Sequence, residues 1–346
     1  MNAILGIIFH FIGGFASGSF YIPYKNIKKW SWESGWIIGG VASWIIAPWL
    51  FGFLTVKDLV PSIQSADSQT IFYTVLFGVL WGFGGLTYGL TMRYLGVSLG
   101  VAVALGFCAA FGTLIPPIYE GRFGELIATS SGQITLAGVV LCVIGIFVCG
   151  KAGMMKEKEL DAATKQETVK EFNLKKGLVV GTFCGIMSAC FAFGLAVGAP
   201  IATQAEANGT DPLFKNNAIL PVLLIGGFAT NFVWCMILNF RNKSFGDYTN
   251  AKTPLKTNYL WALLAGVTWY FQFFFYGMGQ SKLGKSLDFA SWTLHMAFII
   301  LVGTLWGLFY KEWKGVSSST MRVLYLGLLI IVLSSAFIGM GSYFVH

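Results

Sequence analysis

The residues of this chain equipped for proton chemistry are few, and they sit in apolar surroundings. Asp288 and His295 lie seven residues apart with Trp292 between them, so on a helix of 3.6 residues per turn they share a face. His10 lies inside another apolar run. A charged side chain at the centre of a membrane helix costs at least ~2.5 kcal/mol, which makes function the first reading of such a group. Carboxylate and imidazole can exchange protons, histidine near neutral pH. Asp288, His295 and His10 are therefore expected to couple protons. The structural alternatives are that Asp288 caps a helix near the surface and that each histidine is a hydrogen-bonded packing residue.

A second group suits the binding of a neutral solute. The run Trp269-Tyr270-Phe271-Gln272-Phe273-Phe274-Phe275-Tyr276 places one uncharged amide among aromatic rings. Such a mixture fits a polyol with one apolar face: an amide meets hydroxyls while a ring covers C–H groups. Expected contacts to such a ligand are Trp81, Tyr88, Trp269, Gln272, Tyr276 and Trp292. The alternatives are interfacial anchoring or packing for the rings and interhelical hydrogen bonding for Gln272. Residues 279–286 satisfy the phosphate-loop pattern GxxxxGK[ST], but that motif works where a strand leads into a glycine-rich turn at a helix N-terminus. Here an apolar helix leads in, so no nucleotide is expected. No set of side chains has metal-ligand spacing and no nucleophile–base pair stands out; no catalytic residue, metal or cofactor is expected.

The elements that must hold these residues are membrane helices. Of 346 residues, 55% are hydrophobic and 11% charged, against about 25% charged in a soluble domain. Continuous apolar runs, unlike the alternating ten-residue segments of a barrel, predict helices at 3–24, 35–55, 71–92, 96–118, 133–151, 176–200, 217–240, 258–279, 287–310 and 321–344. The class is an all-α polytopic membrane protein with ten transmembrane helices. Cys108, Cys142, Cys149, Cys184, Cys190 and Cys235 lie in or beside apolar runs without CxxC spacing and read as small packing residues. The first run lacks a preceding basic residue and a cleavage site, and is expected to be a retained helix. The net charge of +8 is scattered through the joints, which favours membrane orientation over nucleic-acid binding.

With the N-terminus outside, eighteen of the 23 Lys and Arg residues fall in joints on the inner side and five in joints on the outer side, the asymmetry of the positive-inside rule. Both termini are then expected outside. A charged connector, 152–175, separates five helices in 1–151 from five in 176–346. Residues 78–99 align without a gap on 266–287 with ten identities in 22 positions, Trp81 on Trp269 and Tyr88 on Tyr276 among them. Five helices per half is an odd number, so the halves would be inverted repeats, an arrangement that lends itself to alternating access.

Several strings carry a family resemblance: Lys28-Lys29-Trp30-Ser31-Trp32-Glu33 after Tyr21 and Pro23, Tyr88-Gly89-Leu90-Thr91-Met92-Arg93-Tyr94-Leu95-Gly96, Glu171-Phe172-Asn173-Leu174-Lys175-Lys176-Gly177, Gln272-Phe273-Phe274-Phe275-Tyr276, Asp288 with Ser291-Trp292 and Leu294-His295-Met296, and Lys311-Glu312-Trp313. Through them the chain resembles, nearly end to end, the bacterial L-rhamnose–proton symporters of the drug/metabolite transporter superfamily. It departs from the expected pattern at Gly85 and Thr87, where asparagines would stand. The resemblance implies ten helices in two inverted repeats and proton-driven uptake of a 6-deoxyhexose across the bacterial inner membrane, with sugar, protons and the bilayer as partners. The other readings are a drug or metabolite exporter of the same superfamily and a membrane sugar receptor without transport.

Overall fold

In a bilayer no water takes up backbone N–H and C=O groups, so an apolar chain satisfies them within helices. The computed structural model describes residues 2–95, 97–159, 173–284, 290–311 and 313–341, and all regular structure among them is helical. The long helices are α1 (Asn2–Ser19), α2 (Trp32–Thr55), α3 (Ser68–Leu95), α4 (Val97–Tyr119), α5 (Ser130–Glu159), α6 (Leu174–Val197), α7 (Leu220–Asn242), α8 (Leu255–Leu283), α9 (Ala290–Phe309) and α10 (Ser318–Gly341). Eight stretches, on α1, α2, α3, α5, α6, α7, α9 and α10, are long and apolar enough to cross a membrane. The described apolar part of α4, Val103–Tyr119, is shorter. The 29-residue α8 carries Trp269, Tyr270, Gln272 and Tyr276, which dilute its apolarity. Large apolar side chains such as Phe240 (80% exposed) and Leu54 (69%) cover the outer surface. The chain is a multi-pass membrane protein.

Local chemistry sets several helix ends. Asp67 accepts from both the amide and the hydroxyl of Thr70 at 2.8 Å and starts α3; those bonds hold its carboxyl below the usual range. Asn173 takes the Lys176 amide and starts α6. Asp247 caps α2 from a distant segment, accepting from the Ser31 amide (2.7 Å) and the Ser34 hydroxyl (2.8 Å). Helix α5 continues to Glu159, past its expected end at 151. There the Glu159 carboxylate accepts from the hydroxyl and amide of Ser317 and from the Thr320 hydroxyl, each at 2.6 Å. The same bonds lower its pKa and tie the end of α5 to the start of α10. Within α2 a π-helical turn, Val41–Ile46, precedes Pro48, which has no N–H to return to the carbonyl of Trp44.

Small residues let these helices approach. Helix α1 lies in the groove between α8 and α9, with Gly6 against Gly279 and Leu283, Gly14 against Phe298 and Gly18 against Val302. Helix α6 lies likewise between α3 and α4, with Gly177 on Leu95, Gly181 on Val103 and Gly185 on Phe107. Helix α2 meets α8 where Gly266 faces the Gly39 carbonyl, and α3 meets α7 where Gly78 faces the Leu223 carbonyl. Helices α5 and α10 form an extensive pair through Gly138, Gly145 and Gly327.

A methyl group at Gly78 would strike the Leu223 backbone oxygen, which cannot swing away. Helix propensity favours alanine by about 1 kcal/mol, but overpacking costs roughly 1–3 kcal/mol. Gly78→Ala is therefore expected to lower the thermal unfolding midpoint of the detergent-purified protein. Gly89→Ala on the same helix, with nothing within 4 Å of the added carbon, is expected to keep or raise it.

Candidate functional site

All ten long helices contribute residues to the lining of a cavity of about 760 Å³, within the range of small-ligand sites. The widened π turn of α2 brings Trp44 into its wall, one side of which is built from indoles. Trp269 lies 5.3 Å from Trp44 and 5.1 Å from Trp36 between ring centroids, and Trp81 lies 6.2 Å from Trp44. Phe191, stacked on Phe273 at 4.6 Å and on Trp292 at 5.7 Å, links this wall to α9.

The polar atoms of the cavity fall into two sets. Some are spent on fixing rings: Trp36 donates its indole N–H to Asn231 Oδ1 at 3.0 Å, Asn231 donates its own amide to the Gly227 carbonyl at 2.9 Å, and Trp292 donates to the Cys108 carbonyl at 3.0 Å. Others are buried without a protein partner, namely Gln272 Nε2 and Trp44 Nε1. An N–H left so in an apolar wall costs about 1–3 kcal/mol unless an acceptor arrives. The described charged residue in the lining is Lys156, whose ammonium lies over the Trp313 ring at 4.7 Å. No carboxylate lines the cavity among the described residues. The cavity reaches the surface past Tyr21 (49% exposed) and Trp32 (51%).

Beyond the opposite end, Tyr276 and two histidines close the interior. His10 of α1 and His295 of α9 are fully buried, with ring centroids 5.9 Å apart, and each lies 5.3 Å from Tyr276 in an edge-on arrangement. His10 Nδ1 and Nε2 and His295 Nδ1 have no hydrogen-bond partner. Glycines make room for both rings. A Cβ on Gly279 would sit 2.7 Å from His10 Nε2, and one on Gly13 would sit 2.9 Å from His295 Cε1. Further out, Asn216 donates to the Gly277 carbonyl (3.3 Å) and to Gln280 Oε1 (3.1 Å), and Asn217 donates to Thr55 Oγ1 (2.9 Å). This segment straps α8 to the end of α2.

Of the residues singled out in the sequence, Trp81, Tyr88, Trp269, Gln272 and Trp292 line the cavity. Tyr276 does not; it packs between Trp292 and the histidines. His10 and His295, 285 positions apart in sequence, are brought together, and Asp288 lies outside the described residues. No group of three or more metal-ligating side chains occurs among the described residues. All six cysteines are buried, Cys108 and Cys149 in the cavity wall. Residues 279–283 of the phosphate-loop-like string form the last turn of α8, with Gly284 ending the helix. Trp36, Trp44, Phe191 and Asn231 went unnoticed in the sequence. The signal for Asn231, an amide inside an apolar span, was available.

A family model described as L-rhamnose-proton symport protein matches residues 1–343. Curated relatives named L-rhamnose-proton symporter include one from Yersinia pestis (strain Pestoides F), 40% identical over 341 residues, and one from Mannheimia succiniciproducens, 41% identical over 347 residues; in each case 98% of both chains is covered. A match that spans the helices, the cavity wall and both histidines together leaves no separate piece of the chain to explain: it belongs to the L-rhamnose-proton symport protein family.

Proposed function

We propose that the chain imports L-rhamnose, or a close 6-deoxyhexose, together with protons, across the bacterial inner membrane by alternating access. The cavity is the observation that carries this reading. Its indole walls suit the C–H faces and the methyl group of a deoxy sugar, and the amide of Gln272 supplies a hydrogen-bond donor to a hydroxyl. Trp81, Tyr88, Trp269, Gln272 and Trp292 are proposed to hold the sugar. His10 and His295, with Asp288, are proposed to carry the proton, because the fold brings these two buried imidazoles, 285 positions apart in sequence, into ring contact beside the cavity.

The helix pairing supports two inverted halves, 1–151 and 176–346, joined by the connector 152–175. Adding five to a helix number converts α1 against α8 and α9 into α6 against α3 and α4, and α2 against α8 into α7 against α3. Gly78 and Gly266, aligned in the sequence repeat, each face a carbonyl at such a crossing. On this reading the chain crosses ten times with both termini outside. The cavity mouth near Lys156 then lies on the cytoplasmic side, where eighteen of the 23 basic residues gather.

Sealed vesicles with an inward proton gradient are expected to accumulate labelled L-rhamnose, with L-fucose as the sugar control, and a protonophore is expected to abolish the accumulation. Absence of uptake of either sugar would remove the importer reading. In the same assay Gln272→Leu, which deletes one neutral donor worth about 0.5–1.5 kcal/mol, is expected to raise KM about two- to tenfold with little change in protein yield.

Proton-driven initial uptake should fall as external pH rises, and that dependence should flatten in His295→Gln and His10→Gln. An unchanged pH profile in both variants would take the proton role from this pair. Gly279→Ala forces the His10 ring to move. It is expected to reduce gradient-driven accumulation, whereas Gly124→Ala, away from the cavity and with nothing within 4 Å of the added carbon, leaves it intact.

A further inference from the structure

We propose that Tyr276 is a positioning residue that couples sugar occupancy to the histidine pair through Trp292, and not a ligand of the sugar. The inference rests on the symport reading above. Trp292 lines the cavity, with its indole N–H anchored on the Cys108 carbonyl and one side stacked on Phe191. On its other side Tyr276 stands edge-on at 5.6 Å. Tyr276 in turn meets His10 and His295 at the same centroid distance, 5.3 Å. Among the described residues, the aromatic contacts of Trp292 are Phe191 and Tyr276, so the chain of ring contacts from Trp292 to the histidines runs through Tyr276.

Helix geometry enforces the arrangement. Gln272 and Tyr276 are four apart on α8, and Trp292 and His295 are three apart on α9, so each helix presents one residue to the cavity and the next residue on that face to the pair. The rings come from α1, α8 and α9, the three helices packed against one another at Gly13 and Gly279. On the side away from the cavity these rings are packed against one another, so a displacement there is passed on. A sugar that turns the Trp292 indole therefore moves Tyr276, and Tyr276 moves against both imidazoles. Conversely, a proton on either imidazole alters the seat of Tyr276 and so the wall the sugar meets. The titratable groups that face the pair among the described residues are the two histidines themselves and Tyr276. Asp288 lies outside them.

Two vesicle measurements separate this role from sugar binding. Exchange of labelled for unlabelled L-rhamnose at equal pH on both sides needs the sugar site and alternating access, whereas accumulation under a proton gradient needs coupling as well. Tyr276→Leu, which removes the ring, is expected to keep exchange close to that of the wild type and to lose accumulation. Tyr276→Phe, which keeps the ring, is expected to retain both. Accumulation by the Leu variant at the wild-type level would overturn the proposal, as would exchange and accumulation falling together, because a ligand or a purely structural residue behaves that way. Loss of accumulation in the Phe variant would overturn the ring-packing basis. Failure of the wild type itself to accumulate the sugar would count against the symport reading instead.

Discussion

Helices in a bilayer gain nothing by hiding apolar surface from lipid, so their association depends on how closely their backbones approach. Everything else in this structure hangs on that constraint. Gly6, Gly13, Gly14 and Gly18 seat α1 between α8 and α9, and Gly177, Gly181 and Gly185 seat α6 between α3 and α4. Only with α1 so deep does His10 come within reach of His295 and Tyr276, and only with α6 so deep does Phe191 reach Trp81, Phe273 and Trp292. The rings that meet are large, and the residues that let their helices approach are small.

The same constraint explains where polar atoms are tolerated. At the face near α2 and α7, buried polar groups satisfy one another: Glu33 accepts from Asn242 and Ser244, and Asp247 accepts from Ser31 and Ser34. In the middle, the Trp36–Asn231 pair is closed on itself. Buried polar atoms without a protein partner occur at Gln272, Trp44 and the histidines, where a ligand or a proton is proposed to arrive, and also at Tyr24, Trp30, Ser43, Tyr248, Tyr270 and Ser291. No role is assigned to those six.

The sequence made the helices legible because a spanning segment must be long, apolar and continuous, and hydropathy reads all three. It did not make α5's extension to Glu159 legible, since that end is set by Ser317 and Thr320, more than 150 residues away. The cavity was half legible. Gln272 and Trp269 stood out as an amide and an indole on one aromatic helix, whereas nothing in the sequence singles out Trp36 and Trp44, which the fold brings to the cavity wall, Trp36 bonded to Asn231. Tyr276 shows the limit most clearly. Its repeat partner Tyr88 lines the cavity and Tyr276 does not, because α1 brings His10 alongside it, and no repeat alignment carries that information.

The closed and open ends of the cavity are held by different kinds of contact, and the difference bears on how a cycle can be driven. At the end away from the cavity, hydrogen bonds from Asn216 to Gly277 and Gln280, from Asn217 to Thr55, from the Lys57 amide to Thr210 and from Asn208 to Ser62 hold the strap down. At about 1 kcal/mol net each, they amount to a few kcal/mol, the size of the gap between conformers that a ligand can tip. A much stronger closure would trap one state. On the proposed reading, a sugar hydroxyl on Gln272, apolar burial of its methyl and one proton at the histidines would each supply a term of the same order, so neither solute need dominate. Coupling then requires only that both terms act on one element. The rings running from Trp292 through Tyr276 to His10 and His295 place both on the junction of α1, α8 and α9.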